Sequence, residues 1–184
     1  MKRKTPLKQT TNLKAKTTLK ANAKSKKRPK TEMEKLKTKA NEVFAHYIRL
    51  RDADFVGGVA WQSECISCGR TNTVRYYDED TQKWRWGRKE ENGHFVGRGN
   101  WFLRFNEMNC NGQCTYCNKY KNGNNASYHK ALDIKYGDGT AVELIELGEA
   151  HENYRITKQD LERVIEASNE YLSWCYKREE ENNA

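Results

Sequence analysis

The sequence predicts an α+β fold, a small short-stranded core with one helix before it and helices after it, behind a basic N-terminal tail. Three observations predict it. Apolar residues recur at helical spacing on both sides of the centre, the centre breaks into short β-like runs separated by Gly and Asn, and two CxxC pairs bracket that centre. A chain of 184 residues has room for one modest core. Its mean hydropathy is −1.09, and no apolar run approaches the length of a bilayer span, so the expectation is a protein without a membrane segment.

Residues 1–30 hold twelve of the 34 basic side chains and no acid, and their few apolar residues are too thinly spaced to bury a face. This segment is expected to be disordered and to meet a polyanion. The other 154 residues carry 22 basic and 25 acidic side chains, so the net charge of +9 comes from the tail alone. No apolar core of a secretory signal follows the basic start, which predicts a cytoplasmic protein.

Residues 31–60 are assigned to an N-terminal helix. Thr31 and Glu34 have the spacing of a capping box, and Met33, Leu36, Ala40, Val43, Phe44 and Tyr47 form an apolar stripe in which His46 reads as a partly buried helix residue. From Cys65 the texture turns to strands, with "TVRYY" and "KWRW" around a polar turn predicting a hairpin, so 61–125 is taken as the core. Residues 126–184 return to helix, with starts expected at Thr140 and Thr157 and a broad stripe from Leu161 to Cys175.

Two CxxC turns can each offer two thiolates to one ion, and a four-sulfur tetrahedral site is closed and structural. Cys65, Cys68, Cys114 and Cys117 are therefore the expected ligands of a structural Zn²⁺ in a reducing compartment. The 45 residues between the pairs exceed the usual ribbon spacing, so a sizeable segment is inserted. Cys110 competes for the site through a CxxxC with Cys114, and is read as a buried neighbour; Cys175 is read as a small hydrophobe.

A closed zinc site does no chemistry, so function must lie in what it holds. The order His94, Asn109, then Asn118 directly behind the second CxxC resembles the HNH (ββα-metal) nucleases pinned by four cysteines. The segments "CISCG", "GHF", "LRFNEMN" and "QCTYCNKYKNGN" resemble more closely the NinG/Rap family of phage recombination endonucleases, over Cys65 to about Asn124. Endonuclease VII, which cuts Holliday junctions, shares the plan. The resemblance implies a zinc-stabilised ββα-metal core and DNA, branched DNA above all, as partner. It also implies a catalytic Mg²⁺ or Mn²⁺ and the cytoplasm of an infected host cell.

The resemblance further implies His94 as general base, Asn118 as a ligand of the catalytic metal, and Asn109 as the residue that braces the hairpin. Arg98, Arg104 and Lys121 are then phosphate contacts. Gly93 departs from the HNH pattern, which places an acid or a second histidine before the base. The NinG/Rap resemblance supplies Glu91 as the carboxylate, with a bulge at Gly93 to turn it inward; Glu107 and the Asp78–Asp80 turn are the substitutes. A non-catalytic zinc-ribbon adaptor, an HNH enzyme for linear duplex, and a homodimer all stay open at this level.

Overall fold

The computed structural model describes residues 28–182, so the basic-tail expectation lies, apart from its last three residues, outside the described residues. The first helix, α1 (Glu32–Arg51), begins as expected. Thr31 accepts from the Glu34 backbone N–H, Glu34 accepts from the Thr31 N–H, and Glu32 and Glu34 place negative charge at the helix N-terminus. The helix is shorter than the 31–60 assigned to it. It stops at Asp52, and residues 53–64 instead form two strands, β1 (Ala53–Val56) and β2 (Ala60–Glu64), around Gly57 and Gly58 at φ +60° and +73°. Only glycine adopts that pair of angles cheaply, so "VGGV" was a hairpin signal inside the stretch read as helix.

The expected hairpin is present as β3 (Thr71–Asp78) and β4 (Lys83–Trp86), and β1 to β4 make one antiparallel meander. Its inner face packs on α1 and on the last helix, α4 (Lys158–Glu181), through Val43, Leu50, Trp61, Val74, Leu172 and Cys175. Trp84 lies against Phe55 and Tyr77, and Trp86 stacks on His46 at 4.1 Å, so both tryptophans cover this sheet. Glu179 of α4, 2% exposed, receives Trp61 Nε1 at 2.9 Å and Arg75 Nε at 2.8 Å, and so ties helix to sheet at a buried ion pair.

A second, two-stranded sheet carries the rest. Strand β5 (Glu90–His94) pairs antiparallel with β6 (Cys110–Cys114) in unbroken register, from Glu90 opposite Cys114 to His94 opposite Cys110. A π-helical turn, Tyr116–Tyr120, follows β6 directly, and then α2 (Asn125–Tyr136) and α3 (Thr140–Ala150). Helix α3 is capped by the backbone of Gly139, not by Thr140, whose hydroxyl turns back to the Gly137 carbonyl at 2.8 Å. Helix α4 starts at the expected Thr157, in a capping box with Asp160. Phe44 and Ile48 of α1 meet Cys110 of β6, so α1 is the spine between the two sheets. Among the described residues no helix is long and apolar enough to cross a membrane.

Candidate metal centre and adjoining polar cavity

The two CxxC turns come together. The Sγ atoms of Cys65, Cys68, Cys114 and Cys117 all lie within 4.8 Å of one another, and Cys68 Sγ is 3.8 Å from Cys114 Sγ. A tetrahedron built on Zn–S bonds of about 2.3 Å has edges of about 3.8 Å, so the set fits one zinc ion. The first knuckle is closed by Cys68 N–H and Gly69 N–H on the Cys65 carbonyl, with Gly69 at φ +68°. It is tied to β6 by Ile66 N–H on the Gly112 carbonyl at 3.0 Å. In the second knuckle, Cys117 N–H and Asn124 Nδ2 point at cysteine sulfurs, at 3.4 Å and 3.6 Å. Such donors stabilise thiolates. Cys110 stands apart, fully buried, its thiol directed at the Arg104 carbonyl at 3.5 Å.

Gly93 has a packing reason. A Cβ there would lie 2.5 Å from Gln113 Oε1 and 2.9 Å from Gln113 Cβ, closer than real side chains approach. Gln113 fills that space and donates Nε2 to Ser67 Oγ at 2.7 Å and to the Gly123 carbonyl at 2.6 Å, bridging the segments that carry the two knuckles. An acid or histidine in place of Gly93 would displace this brace. The register across Gly93 is regular, so the expected bulge is not formed.

Beside the cysteine cluster lies a cavity of about 220 Å³ between β5, α1 and the 95–109 loop. His94, Glu91, Asn118, Arg98 and Arg104 all line it. Lys121 does not, and its Nζ sits 5.2 Å from the Tyr116 ring; Glu107 and the Asp78–Asp80 turn are also absent from the lining. Asn109, fully buried, accepts from Val96 N–H at 2.7 Å and donates to the Val96 and Leu103 carbonyls, which fixes the loop on either side of the cavity.

The His94 ring is held by Nε2 on the Arg104 carbonyl at 3.1 Å. A carbonyl only accepts, so Nε2 carries the proton and Nδ1 keeps its lone pair. Burial, helped by the nearby Arg98 charge, lowers the imidazole to about 4, so it is neutral at neutral pH. Glu91 is well satisfied, by Lys119 Nζ at 2.5 Å, Asn118 Nδ2 at 2.7 Å and Thr115 Oγ1 at 3.2 Å. With its amide nitrogen committed to Glu91, Asn118 has its oxygen left as a ligand atom.

Four polar lining residues had not been assigned a role in the site. Asn41 and Arg49 are eight residues apart on α1, on one helical stripe beside the apolar one, and that spacing was the available signal. Glu90 and Asn92 alternate with Glu91 along β5. Glu90 is 2% exposed, and burial pushes its carboxyl up to about 8. The histidines outside the motif have local partners, His129 with Asp133 at 3.5 Å and His151 stacked on Phe102 at 3.9 Å.

The fold and this centre define an α+β protein with a four-cysteine metal site built across a β-hairpin, next to a cavity lined by acids, amides, guanidiniums and one neutral histidine. The chain belongs to the bacteriophage Lambda NinG protein family, whose sequence pattern it matches over residues 1–179. Comparison with curated proteins and with solved structures gives no match.

Proposed function

We propose that this protein is a metal-dependent DNA endonuclease of HNH type acting on branched or recombination intermediates such as Holliday junctions. The observation that carries the reading is the convergence, in one small cavity, of an imidazole with a free Nδ1, the Asn118 amide and the side chains of Arg49, Arg98 and Arg104. His94 ends β5 and Asn118 lies in the helical turn that follows β6, so strand, strand and turn run in the order ββα with the cysteine cluster at the joint, while Arg49 comes from α1 and Arg98 and Arg104 from the loop between the strands. A structural or adaptor role has no use for a buried histidine whose base atom faces a polar cavity.

In this reading His94 Nδ1 takes the proton from the water that attacks the phosphorus. Arg98 and Arg104 hold the phosphate; Arg104 is itself steadied by Asn41 Oδ1 at 2.7 Å and by the Trp101 ring. Asn109 keeps the loop, and through it the Arg104 carbonyl that orients His94, in place. The donor set of an amide oxygen and nearby carboxylates suits Mg²⁺ or Mn²⁺, which when bound supplies positive charge to the phosphate and the departing 3′ oxygen. The four-cysteine site holds a structural Zn²⁺.

The test is to incubate the full chain with Mg²⁺ and a panel of junction, flap and linear duplex DNAs. Junctions are expected to be nicked fastest. Equal cutting of linear duplex would give the enzyme a different substrate, and no cutting of any DNA with either Mg²⁺ or Mn²⁺ would leave an adaptor.

The tail enters the same scheme. Deleting residues 1–30 removes twelve positive charges and is expected to weaken binding to all DNA shapes alike and to flatten the slope of log K against log salt. Binding titrations from about 50 to 200 mM salt read this directly. An unchanged slope would remove the tail from the interface.

A further inference from the structure

Among the described residues seven buried side-chain N and O atoms have no hydrogen-bond partner, and four of them belong to one face of one strand. They are both carboxylate oxygens of Glu90, Oδ1 of Asn92 and Nδ1 of His94, at alternate positions of β5, and all three residues line the 220 Å³ cavity. Asn92 Oδ1 and, given the tautomer, His94 Nδ1 are hydrogen-bond acceptors, and both Glu90 oxygens become acceptors when the carboxyl is ionised. A buried carboxylate without a partner is among the costliest arrangements a fold can keep. Ser63 on β2 is the hydroxyl beside Glu90, yet neither group forms a hydrogen bond of ordinary geometry. Arg49 gives its Nη2 to the carbonyls of Gly87 and Val74, at 2.8 Å and 3.3 Å. Glu91, which also lines the cavity, has three partners already.

We propose that Glu90 and Asn92 hold a hydrated divalent cation in this cavity, and that Glu90, not Glu91, is its anionic ligand. His94 Nδ1, next along the row, faces the cation's hydration shell. Alternate residues of a strand stand about 6.8 Å apart, too far for all three to touch one ion, so water spans the gaps. Magnesium and manganese bind in this manner, by one or two carboxylates with several waters retained. Six waters at about 30 Å³ each take about 180 Å³, which the cavity accommodates. Three arginines share the lining and oppose any cation, so an ionised carboxylate is needed to seat one. The cation's use in cleavage rests on the endonuclease reading; its binding does not.

The experiment titrates Mn²⁺ into the zinc-loaded full chain, followed by the paramagnetic resonance of free Mn²⁺ and by thermal unfolding. Wild type is expected to bind one Mn²⁺ and to gain in Tm. Glu90→Gln should weaken Mn²⁺ at least tenfold with zinc content unchanged, and in metal-free buffer should melt no lower than wild type, since the buried carboxyl it replaces has no hydrogen bond to lose. Asn92→Ala, on a less buried position, should weaken Mn²⁺ severalfold and guards against a folding defect in the first variant. Glu91→Gln should bind as wild type does. Unaltered Mn²⁺ binding in Glu90→Gln, or loss confined to Glu91→Gln, overturns the proposal, and if wild type still cuts DNA the endonuclease reading survives that failure. Loss in Glu90→Gln in a protein that cuts no DNA upholds the cation site and removes the nuclease.

Discussion

Changing any one of Cys65, Cys68, Cys114 and Cys117 to Ser is expected to abolish zinc binding and unfold the β5–β6 region, whereas Cys110→Ser keeps both metal and fold. The hairpin explains the severity. Strand β5 reads Glu-Glu-Asn-Gly-His and β6 reads Cys-Asn-Gly-Gln-Cys, so neither contributes an aliphatic side chain to a core. An isolated two-stranded sheet is marginal in water, and this one lacks even a hydrophobic face. What closes it is the cysteine cluster, the Gln113 bridge and the contact of Cys110 with Phe44 and Ile48.

Zinc bound to four thiolates supplies folding free energy of about 10–16 kcal/mol in small metal-folded peptides, far more than this hairpin can gain otherwise. Cys110 contributes packing and one weak thiol bond to the Arg104 carbonyl, which a serine hydroxyl can replace. Elemental analysis of zinc together with circular dichroism checks both halves. Zinc lost with Cys110→Ser and retained with Cys65→Ser would mean that a different quartet binds the metal.

Elements whose local chemistry stands within four residues were legible in the sequence. The capping box at Thr31, the helix start at Thr157, the turn of the β3–β4 hairpin and each CxxC knuckle are of this kind. Strands β1 and β2 were not, because four- and five-residue runs are too short to display a period, and the Gly-Gly turn between them sat next to a strong helical pattern. Helix α2 falls in the 126–184 stretch read as helical, but its own start was not marked; its apolar content is slight, and Tyr128 and Leu132 are its two buried side chains.

At the site, His94 and Asn118 could be named from their order around the cysteines, and the structure puts both on one cavity. Which of Glu90 and Glu91 is left without a hydrogen-bond partner could not be read from the sequence, because it depends on the register of β5 against β6 and on whether Gly93 bulges. It does not, and the reason is Gln113, twenty residues away in sequence. The contribution of α1 was equally hidden, since Asn41 and Arg49 acquire meaning only once the helix is laid across the hairpin.

His94→Ala is expected to lower cleavage about 10²–10⁴-fold, the range that a positioned acid or base supplies, while zinc content and DNA affinity stay as in wild type. The structure separates these quantities. The His94 ring makes one hydrogen bond, to the Arg104 carbonyl, and that loop is independently fixed by Asn109 on Val96 and Leu103, so removing the ring leaves the cavity walls standing. In the proposed reading DNA affinity rests on the arginines and the tail, which the substitution does not touch. The lone pair on Nδ1 is lost, and no other imidazole lines the cavity to replace it. Single-turnover cleavage of a junction substrate, run beside equilibrium binding of the same DNA, makes the comparison. Equal losses in rate and affinity would make His94 a phosphate or folding contact, and cleavage at the wild-type rate would move the base elsewhere.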